Sequence, residues 1–416
     1  MQLNNLLSFK KLLAINLITI ISWQSLSYGA NIGISLIYTY IAAILLFHIP
    51  NLVLTKHLLN APDGNTQNNH NLIYLINTKL NYLSNVVVTL CTWLSNVVGY
   101  PSVFAFILSN VFYVFHCNVS KTEYFICIIM LYLAMSTINI MGFKISFKAI
   151  LFFSLIGVFI PMALIIGYSF YYTLDHYVLV KTWLINVQLA HPFNLKDLNF
   201  GFILAIVMTI IGFEQSSLHV EEMVQHKFQF KNYHLIISSI CILTITLFMM
   251  LVLSYIATTE HLDPNYLIAG TIIGFFKLIH YPKLAQVFII LFAIGEFGCV
   301  FAWMVHINRT FNATLLIAKS PTLRSWGSNY TPKKLIKFEL VIFLVYFILL
   351  KIFPVLETSV ILYNLSVQLS ILYYVVLYLA IIREKSLPML SRVILIIGLI
   401  TSVFGVVCSL IPNMVL

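Results

Sequence analysis

Glu214 and Glu296 are the two acidic residues that fall well inside long apolar stretches of this chain. Placing an ionisable side chain at bilayer depth costs roughly 3 kcal/mol or more, so such a residue is a functional candidate by default. Glu214 follows Gly212 and Phe213 and is followed by Gln215, Ser216 and Ser217. A carboxylate, an amide and two hydroxyls therefore arrive together, after an apolar run that begins at Asn199. Gly212 weakens a helix at this point, and a broken helix exposes backbone N–H and C=O groups. At membrane depth these survive only where they line a cavity, which is how membrane carriers build substrate and ion sites near the midplane. The alternative is an unbroken helix whose Glu214 pairs with a polar group across the bundle.

A second polar interruption lies near the start of the chain, where Ser22, Trp23, Gln24 and Ser25 break an apolar pattern shortly before Gly29. It reads either as a second broken helix or as an interfacial tryptophan with a polar exit. Glu296 sits in Ala293-Ile-Gly-Glu-Phe-Gly-Cys299, between small residues that allow close helix approach. Its carboxylate either faces a cavity or is held in packing. Trp93, Asn96, Tyr100 and Pro101 mark a possible pore face and kink, and Tyr363, Asn364 and Gln368 form a polar stripe. His219, Glu221 and Glu222 follow Glu214 by one to two helical turns and fall towards a membrane boundary.

The elements that must position these groups are membrane spans. Of 416 residues 61% are hydrophobic and 9% charged, with mean hydropathy +0.97; a soluble domain carries about a quarter charged residues. Apolar windows long enough to cross a bilayer recur at about 9–29, 32–56, 80–115, 122–142, 146–172, 199–223, 233–257, 283–313, 334–353, 357–382 and 390–412. With the N-terminus placed in the cytoplasm, 17 of the 23 Lys and Arg fall inside, as the positive-inside rule requires. The two interrupted stretches open the first and sixth spans, the start of two five-helix sets. An odd number per set makes the second begin on the opposite face, the arrangement of an inverted repeat.

Net charge of +10 is accounted for by this topology, since the basic residues are spread over helix ends and form no nucleic-acid-binding face. Six cysteines include no CxxC and no Cys/His cluster, so neither a metal site nor a cofactor is expected. No nucleophile–base pair points to an enzyme. The longest loops, 57–79, 173–198, 258–282 and 314–333, are too short for a folded domain. The first reads as a polar, turn-rich connector, and 264–279 as short helices capping one face.

Gly212-Phe-Glu-Gln-Ser-Ser-Leu-His-Val-Glu-Glu-Met223 resembles the sixth-helix motif of the amino acid–polyamine–organocation transporters, closest to the glutamate/γ-aminobutyrate antiporter branch. Trp93-Leu-Ser-Asn-Val-Val-Gly-Tyr-Pro101 resembles that branch's third helix, and Leu362 to Arg383 its tenth. The resemblance runs over roughly residues 10–412. It implies an all-α LeuT-type fold, a 5+5 inverted-repeat core with broken helices 1 and 6 and one further span. The core would be residues 1–382, with repeats at about 9–172 and 199–382, and residues 383–416 a loop plus the added helix. It further implies alternating access for amino acids or amines in a bacterial inner membrane. By the resemblance the backbone around Ser22, Trp23, Gln24 and Ser25 and around Phe213, Glu214, Gln215 and Ser216 would hold the substrate, and Glu214 would gate or couple protons; the residues themselves add Tyr100 beside the substrate and Glu296 as a second gating or coupling group. Departures are Lys56 where the family has an acid, His306-Ile-Asn308 after Trp303 where it has Gly-Pro-Ser, Glu296 in a stretch usually small and apolar, and eleven spans for twelve.

Overall fold

The computed structural model describes residues 20–30, 35–60, 71–141, 143–175, 206–210, 212, 228–260, 262–263, 265–328 and 332–409. All regular structure among them is helical. Helix α1 is Trp23–Ala30; α2 runs through Ser35–Ala43, a π turn at Ile44–His48 and Ile49–Asn60; α3 is Asn71–Lys79. Next come α4 (Tyr82–Phe115), α5 (Lys121–Ile140) and α6, built of Phe143–Ser154, a π turn at Leu155–Phe159 and Ile160–Asp175. After a helical turn at 206–208 follow α7 (Phe228–Glu260), α8 (Leu267–Leu278), α9 (Leu284–Leu316) and α10 (Pro321–Ser328). The chain closes with α11 (Pro332–Ile352), α12 (Val355–Ile382) and α13 (Met389–Ser409). Eight of these stretches are long and apolar enough to cross a membrane.

Local sequence explains where the helices start and stop. The Asn81 side chain caps α4 by accepting the Ser84 N–H at 2.8 Å, and His116 closes it in the left-handed region at φ 53°. Ser120 and Glu123 form a reciprocal capping box that starts α5. The stretch 57–79, expected as a turn-rich connector, is largely helical at both ends: α2 continues to Asn60, and α3 occupies Asn71–Lys79. Leu75 and the buried Ile73 and Ile76 anchor α3, while the polar run 61–70 lies outside the described residues. As expected, 264–279 contains the short helix α8. It is docked by Asn110 of α4, whose side chain donates to the Asn265 carbonyl and accepts from the Ala269 N–H.

The two π turns share a cause. Each ends two residues before a proline, Pro50 in α2 and Pro161 in α6. Proline has no N–H and its ring clashes with the carbonyl four residues back, so the helix widens locally. In α2 the freed carbonyl is that of Leu46, and Thr401 of α13 donates to it at 3.0 Å. In α6 it is that of Gly157, which lies against Gly295 of α9 so closely that a Cβ on Gly295 would sit 2.1 Å from the Gly157 oxygen. α4 packs along both α12 and α9 and forms the spine of the core.

Candidate functional site

Both expected helix breaks are present. Ile20 is helical, Ile21 and Ser22 are not, and α1 restarts at Trp23 with the Leu26 N–H donating to the Ser22 carbonyl at 3.0 Å. In the sixth span the helix tightens into i+3 turns, Thr209 N–H to Ile206 and Ile210 N–H to Val207. The chain then leaves the helical path at Gly212, whose φ of 112° favours a residue without a Cβ. Phe213, Glu214, Gln215 and Ser216, with His219, Glu221 and Glu222, lie outside the described residues.

A cavity of about 70 Å³ joins the two breaks. Ser22, Gln24 and Ser25 line it from the first break, Met208 and Gly212 from the second. α4 contributes Thr92, Ser95, Asn96, Gly99 and Val103, a stripe spaced three and four apart that forms one helical face. α12 contributes a matching stripe that includes Tyr363, Ser366 and Ser370. Hydroxyls knit the walls together: Ser25 Oγ pairs with Tyr363 OH at 2.9 Å, and Ser95 Oγ donates to the Ser366 carbonyl at 2.8 Å and meets Ser370 Oγ at 2.6 Å. Trp303 and His306 of α9 complete the lining.

Trp23 and Tyr100, both expected to touch substrate, are fully buried and do not line the cavity. Successive helix residues point about 100° apart, so with Ser22 and Gln24 facing inward Trp23 turns the other way, onto the Phe292 ring of α9. Likewise Tyr100 follows Gly99, and its ring enters the core.

Glu296 is fully buried directly behind the first break. Its Oε1 accepts the Gln24 N–H at 3.1 Å, while Ser22 Oγ lies 3.4 Å from the Ser25 N–H. The protein thus caps the N-terminus of α1 with a side chain from a helix 272 residues away, at the end where the helix dipole favours an anion. Of the backbone expected to hold substrate at Ser22–Ser25, two N–H groups already have partners within the protein. The Gln24 side chain continues the chain of bonds, donating to Ser102 Oγ at 2.9 Å, which donates to the Ser359 carbonyl of α12 at 2.8 Å. Glu296 Oε2 and Gln24 Oε1 are buried acceptors that meet no donor among the described residues.

Sequence reasoning missed two further buried groups. Glu339 of α11 accepts from Tyr132 of α5 and, at 3.3 Å, from Trp93 Nε1 of α4. His48, in the π turn of α2, holds the second break itself: its Nδ1 lies 2.6 Å from the Ile210 carbonyl and its Nε2 2.7 Å from Ser239 Oγ. Glu339 sits near the basic end of its span and reads as a boundary residue, and one histidine in an apolar run carries no pattern. The cavity stripes were legible in principle, from Ser, Thr, Asn and Gly at helical spacing. Among the described residues no group of three or more His, Cys, Asp or Glu could hold a metal ion.

Comparison with known proteins places this geometry. The family model described as amino acid permease matches residues 71–416. An uncharacterized transporter of Legionella pneumophila subsp. pneumophila is 24% identical over 394 residues, covering 90% of this chain and 80% of that protein. Among solved structures, MhsT in complex with L-phenylalanine superposes with TM-score 0.58 at 11% identity, covering 97% of this chain and 98% of the other. A manganese transporter of Eremococcus coleocola, in complex with an aromatic bis-isothiourea substituted compound, gives 0.59 at 12% identity, covering 96% and 86%. These likenesses show the fold: that of LeuT-type transporters, all-helical with interrupted first and sixth helices.

Proposed function

Because this chain belongs to the amino acid permease family, we propose that it is a secondary transporter carrying amino acids across a bacterial inner membrane by alternating access, with its N-terminus in the cytoplasm. The observation that carries the reading is the polar cavity bounded by both helix breaks. Its lining from α4, α12 and the first break offers hydroxyls and amides, neutral groups that suit a zwitterion of zero net charge. Glu214 and Glu296 are the groups proposed to gate the pathway or couple it to protons, and Gln215, Ser216 and Phe213 to complete the substrate site. Exchange of one amino acid for another fits the glutamate/γ-aminobutyrate branch that the motifs resemble. No chemical step on the substrate is proposed.

One observation favours a second reading, transport of amines. The anion-accepting end of α1 is already filled by Glu296, and two buried oxygens beside it meet no donor among the described residues. A carboxylate brought to that end would add further acceptors, whereas an ammonium group would donate to the oxygens already there.

Uptake and counterflow in liposomes, with labelled neutral amino acids and labelled polyamines at several pH values, separate these readings. Saturable movement of amino acids supports the first, and movement of amines alone the second. Folded protein that moves neither at any pH would overturn both and leave a transporter-like sensor. Glu296→Gln keeps an acceptor for the Gln24 N–H while removing charge; an unchanged pH profile in that variant removes Glu296 from coupling.

A further inference from the structure

We propose that His48 is a positioning residue that fixes the break in the sixth span, and hence the wall of the substrate cavity, by clamping the Ile210 carbonyl. The inference rests on the transport reading only for its effect on substrate, not for the clamp itself.

In an unbroken helix the Ile210 carbonyl would accept the N–H four residues on. The turn at Gly212 takes the chain off that path, so this carbonyl is one of the groups a break leaves to be satisfied elsewhere. His48 satisfies it. A carbonyl only accepts, so Nδ1 carries the proton; in the neutral ring Nε2 is then an acceptor for the hydroxyl of Ser239 on α7. The imidazole is 1% exposed and touches three elements: its own α2, the end of the broken helix and α7. It does not line the cavity, whereas Met208 and Gly212, on either side of Ile210, do. It therefore acts on substrate through the backbone it holds.

The support under His48 is stiff. The ring sits at the end of the π turn that Pro50 forces on α2. The Leu46 carbonyl in that turn lies 3.0 Å from Thr401 Oγ1 of α13, which shares its one proton with the Ile397 and Gly398 carbonyls of its own helix. Pro50 rests on Gly398 so closely that a Cβ there would lie 2.5 Å from the Pro50 Cβ. α13 thereby acquires a role: it backs the turn from which His48 reaches the break.

The two ring nitrogens give the test its resolution, because an Asn amide can replace Nδ1 and a Gln amide can replace Nε2. Hydrogen–deuterium exchange of the peptide covering 206–212 is measured in wild type, His48→Ala, His48→Asn and His48→Gln, with α4 peptides reporting global unfolding. Exchange about tenfold faster in the Ala and Gln variants is expected, with the Asn variant within about twofold of wild type and α4 unchanged. Equal acceleration in all three, or none in His48→Ala, would overturn the proposal; that pattern means that the ring only fills space. Amino-acid uptake in liposomes is the second arm, where the Ala and Gln variants raise KM about fivefold or more and Asn restores it. A wild type that moves no amino acid fails the transport reading alone and leaves the exchange result standing.

Discussion

Replacing Gly295 by alanine places a methyl carbon 2.1 Å from the Gly157 carbonyl oxygen, 2.3 Å from its carbon and 2.8 Å from its Cα. Ordinary contact begins at 3.4 Å, so the methyl is about 1.3 Å (3.4 less 2.1) too close. Both partners are backbone, and neither can rotate aside. α9 must then move away from the π turn of α6 by most of that distance. Glu296 is the next residue, and its bond to the Gln24 N–H, at 3.1 Å, has only about 0.4 Å of slack before it ceases to be a bond. Overpacking on this scale costs about 1–3 kcal/mol, and leaving the capped N–H and its carboxylate apart adds about 1–3 kcal/mol more. Gly167, on the same helix as Gly157, is the matched control: nothing lies within 4 Å of its Cβ position. Alanine there is expected to be neutral or to stabilise by up to about 1 kcal/mol through helix propensity. Thermal unfolding in detergent, with uptake measured on the same samples, compares the two. A Gly295→Ala protein that melts with wild type and transports as well would refute the close approach and the coupling of packing to the Glu296 cap.

Three further outcomes are expected. Tyr363→Phe removes the partner of Ser25 Oγ in the cavity wall and should weaken substrate affinity about three- to tenfold; unchanged KM would move the site elsewhere. Tyr132→Phe leaves one oxygen of buried Glu339 without its donor and should destabilise by about 1–3 kcal/mol in wild type but by clearly less in a Glu339→Leu background. Equal costs in the two backgrounds would mean that the hydroxyl does not serve the carboxylate. Glu384, between α12 and α13, accepts from Lys79 of α3 at 2.6 Å, and that hydrogen bond holds its carboxyl below the usual range. A lowered folded pKa gives stability that is present above the ordinary carboxyl range and lost as pH falls through the folded value. The difference in stability between wild type and Glu384→Gln, about 0–1 kcal/mol at pH 7 and followed by melting temperature, should vanish in acid and shrink in high salt; a difference that persists at pH 3 contradicts the assignment.

The spans were legible because bilayer thickness sets length and composition at once. The stretch 80–115 became Tyr82–Phe115, and 357–382 became Val355–Ile382. Both breaks were legible too, since Gly212 and the cluster Ser22–Ser25 put polar and helix-weakening residues where lipid cannot satisfy them. Tertiary partners were not. Glu296 could be flagged as costly, but its partner is a backbone N–H in another helix, which no side-chain pattern encodes. The π turns escaped for a related reason. Pro50 and Pro161 predict a disturbed helix, but whether it kinks or widens depends on which neighbour receives the freed carbonyl. For Leu46 that neighbour is Thr401, 355 residues away. Trp23 was expected at the site from its place in the first break and Tyr100 as a pore-lining ring; one position of helical phase turns both side chains into the core instead.

The cap on α1 has a consequence for how the first span is held open. Unwinding a helix at membrane depth strands backbone groups that cost several kcal/mol each when nothing meets them. Here Ser22 and Glu296, side chains of the protein itself, meet two such groups. The interruption in the first span is therefore a standing part of the fold. A solute bound there need not supply partners for these two groups.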